Sequence, residues 1–192
     1  ASMAGDVLQA VRVAAAMLDN APARLLLWAR YRSRSLATNV RQFNSAVAEI
    51  EELVAATPEP VLRGRRPVSA LPGVTPIMRG WSAYMTIDHC NDVHESLLGV
   101  LPQLDAGRDV EIGDIGRFDH PAECGAEVMP RFRDLAARIA GLPQTLSFSG
   151  HGTFVHPIFG RLNSRGGYAL VAMHLQLHVP QIRQSIAING QA

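Results

Sequence analysis

The chain is poor in the features that mark several large functional classes. Among its 192 residues there are only two cysteines, Cys90 and Cys124. Two thiols 34 positions apart in sequence make no disulfide framework, no zinc knuckle and no CxxC redox pair, so a reducing compartment is expected. Charge of one sign is also missing. With 18 basic against 17 acidic residues the formal net charge is +1, which gives no electrostatic drive toward phosphate backbones, and no nucleic-acid partner is expected. Aromatic residues make up 6%, low for a β-sandwich. No apolar run approaches the length of about 18 residues that a membrane span needs. The apolar stretch over residues 7–18 is broken by Gln9 and Arg12 and has no basic leader, so neither a signal peptide nor a membrane partner is expected. A GxSxG elbow and a P-loop are absent too, which leaves serine-hydrolase and nucleotide-hydrolysing mechanisms without a motif.

What is present is a helical pattern over a single domain, residues 1–192, with Ala1, Ser2 and Met3 read as a tag remnant. Leu36, Val40, Phe43, Val47, Ile50 and Val54 alternate spacings of four and three, and no Gly or Pro interrupts the segment after Pro22, so one long helix is expected over residues 22–56. A shorter helix is expected over 6–18. Residues 58–80 hold Pro58, Pro60, Pro67, Pro72 and Pro76 and read as a long connecting loop of the kind that lines sites. A second bundle helix is expected over 81–101, N-capped by Ser82 and closed before Pro102. A third is expected from Pro121 or Ala122 to Ile139, with Pro130 marking a kink or a later start near Met129. A short strand is expected at 110–112. Residues 145–149 and 153–156 are expected to pair across a Gly-rich turn at Ser149, Gly150, His151 and Gly152. The last helix follows Asn163 or Ser164. These elements define a mainly α fold, an antiparallel four-helix bundle with a short hairpin before the last helix.

The chemistry lies in the histidines. His174 and His178 are one helical turn apart, so both can face one ion. With seven histidines such a pair arises by chance in roughly one sequence of this length in four. The pair gains weight from its setting among Leu170, Val171 and Ile182, on the inward face, where an unpartnered imidazole is costly. His89, on the second helix beside Met85, Val93 and Val100, can supply a third nitrogen. Three imidazoles from two helices suit zinc or nickel first, with copper and ferrous iron in the same ligand class, and leave a coordination position open. Cys90 and His94 form another i,i+4 pair that with Asp88 or Asp92 could make a competing soft site; the alternative is core packing with Ile87, Leu97 and Leu101. Asp92 is a candidate fourth ligand or an acceptor for an imidazole N–H. His156 is expected to fix the turn before Pro157, and His151 to sit at a loop tip.

The run Trp81, Ser82 and His89, together with His156, Pro157, Ile158, Phe159, Gly160, Arg161, Leu162, His174, His178, Gln181 and Ile182, resembles the DinB/YfiT-like family over most of residues 22–187. Val179 and Pro180 depart from it, since relatives commonly have polar or basic residues there. The resemblance implies a four-helix bundle, often a homodimer, holding a divalent metal on one histidine of the second helix and an HxxxH pair of the last. These map onto His89, His174 and His178. It also implies a protein acting on a small-molecule substrate, either a thiol-dependent transferase using a low-molecular-weight, glutathione-like thiol or a metal-dependent hydrolase; the reducing compartment expected from the cysteines makes it cytoplasmic. Arg63, Arg65 and Arg66 are candidates to hold the carboxylates of such a thiol. The alternative to an enzyme is a stress-linked bundle whose metal is structural or absent.

Overall fold

A computed structural model describes Leu25, Trp28, Ala29 and residues 33–111, 122–156 and 159–191. Among these lie helices α1 (Leu36–Ala55), the single turn α2 (Glu59–Leu62), α3 (Ala83–Asp105), α4 (Val128–Thr145) and α5 (Ser164–Asn189), a 3-10 turn at Ile77–Gly80, and strands β1 (Phe154–His156) and β2 (Gly160–Leu162). The helix expected over residues 6–18 lies outside the described residues.

The four long helices start where a side chain can satisfy free backbone N–H groups, with one exception. Ser35 Oγ accepts from the Thr38 N–H at 3.2 Å, Ser82 Oγ from Met85 at 3.1 Å and Asn163 Oδ1 from Gly166 at 2.9 Å. The cap at Ser35, with a turn at Ser33, divides the segment expected to be one helix from Pro22 onward, because a serine capping the next turn takes non-helical backbone angles. Helix α4 has no side-chain cap and begins at Val128, later than Pro121 or Ala122; Pro130 therefore falls in its first turn, where proline is tolerated. Gly141 and Pro143 do not end it, and Pro102 falls inside the last turns of α3 rather than after it.

The helices close a four-helix bundle, α5 packing on α1 and α3, and α4 on α3 and α1. Bonds between them fix their directions. His89 meets His174 while Gly167 lies against Leu101, so α3 and α5 are antiparallel. Gln176 bonds to the Gln42 carbonyl and Arg183 to Glu49, so α1 and α5 run the same way. Asn91 bonds to the Val128 carbonyl, and Asp105, at the other end of α3, bonds to Ser147 just past α4, so α3 and α4 are also parallel. The core is one large apolar cluster including Phe43, Ile50, Leu97, Leu101, Phe132, Tyr168 and Ile182, with a second small one formed by Val74, Met78, Trp81 and Met85 under the 58–80 segment.

The hairpin differs from expectation. β1 pairs with β2, Phe154 opposite Leu162 and His156 opposite Gly160, with Gly160 at φ +70°. Residues 145–149 are not a strand. Gly150 and Gly152 serve close approach instead: a Cβ on either would overlap backbone atoms of Asp105 or Arg108. The Asp105 carboxylate binds this segment, accepting from the Ser147 N–H (2.8 Å) and hydroxyl, the Gly150 N–H and the Ser164 hydroxyl. Burial pushes its pKa up, but the four hydrogen bonds together outweigh that and hold it below the usual carboxylate range. Val110 and Glu111 are not a strand either, although the Val110 N–H bonds to the Thr153 carbonyl at 3.0 Å; Ile112 lies outside the described residues.

Candidate metal centre

His174 and His178 project from α5 on its inward face, flanked by Leu170, Val171 and Ile182, all 4% exposed or less. His89 comes from α3, two turns after Ser82 sets the start of that helix, and its ring lies 5.2 Å from that of Trp81. The three rings converge, with centroids 5.0 Å (His89–His174), 5.1 Å (His89–His178) and 4.6 Å (His174–His178) apart. One nitrogen of each lies within 4.8 Å of the others, and His89 Nε2 faces His174 Nε2 at 3.1 Å.

Burial keeps these rings uncharged. It is the main cause that pushes the His89 pKa down to about 3, with His178 and His94 adding to it, and that of His178 to about 4, against a partly opposing hydrogen bond that His178 donates to Gln181. His174 is lowered well below the ordinary value by burial first and then by its histidine neighbours. Neutral imidazole is the metal-binding form.

The tautomer of His178 follows from a chain of bonds. The Gln181 amide nitrogen donates to the Met78 carbonyl at 2.7 Å, which fixes its Oε1 as an acceptor; that oxygen lies 2.8 Å from His178 Nδ1. His178 therefore carries its proton on Nδ1 and leaves the Nε2 lone pair for the cluster. Gln181 is 0% exposed. A metal held tetrahedrally by nitrogens at about 2.0–2.1 Å spaces them by roughly 3.3 Å, so small adjustments from the observed spacing suffice and the three residues fit a divalent ion. Replacing Gln181 with leucine removes the acceptor that sets the tautomer, and zinc affinity measured by chelator competition is expected to fall 10- to 100-fold. Unchanged affinity would show that the tautomer needs no partner.

The other candidates fall elsewhere. Asp92 is on the surface, where with Asp88 and Glu95 it surrounds the Arg131 guanidinium, 2.9 Å from Asp92. Cys90 and His94 are sealed in the core, His94 against Phe43 and Phe132, and burial pushes the Cys90 thiol up, away from the thiolate a metal takes. Among the described residues, the histidine trio is the grouping with ligand geometry. His156 Nδ1 accepts from the Phe159 N–H at 3.3 Å, and its ring stacks on Phe159, which stacks on Trp28. His156 is close enough to influence His174 electrostatically. His151 is exposed. Arg63 pairs with Glu59 and donates to the Cys124 carbonyl, Arg65 pairs with Glu123 and Arg66 donates to the Ile188 carbonyl, so all three guanidinium groups bind the protein itself. The role of Gln181 was not read from the sequence; its signal was a buried amide one turn beyond the second histidine of an inward-facing pair.

The molecule is a four-helix bundle with a three-histidine cluster between two of its helices, His178 buried and His89 and His174 partly so. The fold matches the solved structure of YfiT from Bacillus subtilis, with a TM-score of 0.59 over 82% of this chain and 91% of that one, at 16% sequence identity. That protein is described as a probable metal-dependent hydrolase with an unusual four-helix bundle topology. At this identity the likeness establishes the fold, which is the one the DinB/YfiT resemblance implied. No protein-family model and no curated protein matches the chain in sequence. No described helix is long and apolar enough to cross a membrane.

Proposed function

We propose that the chain is a metal-dependent hydrolase of a small molecule, with His89, His174 and His178 holding one divalent ion, zinc or nickel. The observation that carries this reading is the convergence of three neutral ring nitrogens within 4.8 Å at a buried place where charge is disfavoured. A divalent ion there would supply the Lewis acidity that makes a nucleophile from water or a thiol at neutral pH.

The chain's own groups supply orientation. Gln181 holds His178 in its ligand tautomer, Trp81 packs beside His89, and an ion held by three protein ligands would have room for substrate or water. Hydrolysis is favoured over thiol transfer by the description of the YfiT structure and by the engagement of Arg63, Arg65 and Arg66 with protein partners, which leaves the carboxylates of a glutathione-like thiol without their expected clamp. A homodimer, from the family resemblance, in the reducing cytoplasm that the cysteine usage suggests completes the proposal.

The test is turnover of a panel of small esters, amides and lactones by metal-free, zinc-loaded and nickel-loaded protein, each with and without a low-molecular-weight thiol. Metal-dependent hydrolysis without thiol supports the reading. Activity only with thiol replaces it by the transferase, and tight metal binding with no activity on either arm replaces it by a structural metal in a non-enzymatic bundle.

A further inference from the structure

His94 is 0% exposed, and neither ring nitrogen has a hydrogen-bond partner among the described residues. Its aromatic neighbours Phe43 and Phe132 offer none. His174 Nδ1, on the side of that ring away from the nitrogen facing His89, is buried and without a partner as well. The two rings lie 6.5 Å apart by centroid, at 73°. Leaving such atoms unsatisfied is costly, so two neighbouring imidazoles with three open nitrogens call for a shared partner.

The spacing indicates what that partner is. His89 and His174, with centroids 5.0 Å apart, bring their nitrogens to 3.1 Å, a direct hydrogen-bond length. His94 and His174 are farther apart, at 6.5 Å, and no direct bond joins the His94 nitrogens or His174 Nδ1 to a described residue. A single bent water, bonded at about 2.8 Å on each side, joins two nitrogens about 4.5 Å apart and so spans rings that sit too far apart to bond directly. A further acceptor is at hand on α3: Asn91 is three residues before His94 and fully buried, its amide nitrogen donates to the Val128 carbonyl, and its Oδ1 has no partner among the described residues.

We propose that one buried water bridges His174 and His94, accepting from the Nδ1–H of His174 and donating to a ring nitrogen of His94 and to Asn91 Oδ1. Such a water has the two to four polar partners that buried waters keep. His94 is then a positioning residue. Through the water it fixes the His174 proton on Nδ1 and leaves Nε2 for the metal, as Gln181 does for His178. This gives the i,i+4 partner of Cys90 a role in the site without making it a ligand. The consequence for metal affinity rests on the metal reading above; the water itself does not.

The test has two arms. Nitrogen-15 histidine spectra of the metal-free protein are expected to show His174 protonated on Nδ1, with cross-relaxation from a long-lived water to the His94 and His174 ring protons. Zinc competition is expected to show 10- to 100-fold weaker binding in His94→Leu and recovery to within a few-fold in His94→Gln, whose amide oxygen can accept from the same water. A His174 ring protonated on Nε2 only, no water signal, or full zinc affinity in His94→Leu overturns the proposal. If the wild type binds no metal, the metal reading fails and the spectra alone decide the bridge; they do so equally if a variant does not fold.

Discussion

Taking the metal-free protein from pH 7 to pH 5 is expected to remove about 4 kcal/mol of stability, a large share of the roughly 5–15 kcal/mol that domains have. The two rings most fully sealed from solvent set this figure. His94 and His178 are 0% and 2% exposed, and burial lowers their pKa values to about 3 and about 4. In the unfolded chain a histidine titrates near 6.5. Between those values the unfolded state binds more protons than the folded one, so stability is complete above pH 6.5 and falls as the pH drops below it. Each ring contributes about 1.36 kcal/mol per pH unit over the 1.5 units from 6.5 to 5, and two rings give about 4 kcal/mol. His89 and His174 steepen the fall. Urea unfolding of chelator-treated protein at the two pH values reads it directly, and stability that is flat from pH 7 to 5 would mean these rings are solvated.

Replacing Trp81 with alanine is expected to cost about 3–5 kcal/mol, the range for deleting a fully buried large aromatic. Trp81 is 0% exposed and is the largest member of the small cluster with Val74, Met78 and Met85. That cluster joins the 58–80 segment to the start of α3, and Met78 also supplies the carbonyl that anchors Gln181. The substitution therefore loosens the wall beside His89 and the support of His178 together, and zinc affinity is expected to fall along with the denaturation midpoint. A loss below about 1 kcal/mol would show that the segment packs independently of the tryptophan.

Much of this was legible in the sequence because periodicity and side-chain chemistry agree there. The four-and-three spacing from Leu36 to Val54 places Phe43 and Ile50 in the core, Ser82 and Asn163 cap the helices they precede, and the HxxxH pair falls where it meets His89. What was hidden depended on neighbours distant in sequence. Gly150 and Gly152 look like turn residues, but they are small because the end of α3 and the residues after it press on them, and so the hairpin forms one segment later. Pro180 departs from the family resemblance, yet α5 continues through it to Asn189, which is what delivers Gln181 to His178. Arg63, Arg65 and Arg66 read as a basic patch until the fold supplies Glu59, Glu123 and the Ile188 carbonyl. The parallel pairing of α1 with α5 and of α3 with α4 had no local signal, because it is decided by the route of long connections.

His89, His174 and His178 are expected to bind one metal ion together. The most direct measurement is metal content by elemental analysis, for the wild type beside His174→Ala, after exposure to zinc, nickel, manganese and ferrous iron and removal of loosely bound ions. The account predicts close to one zinc or nickel per wild-type chain and almost none in the variant. Equal metal in both proteins, or none in the wild type, would contradict it.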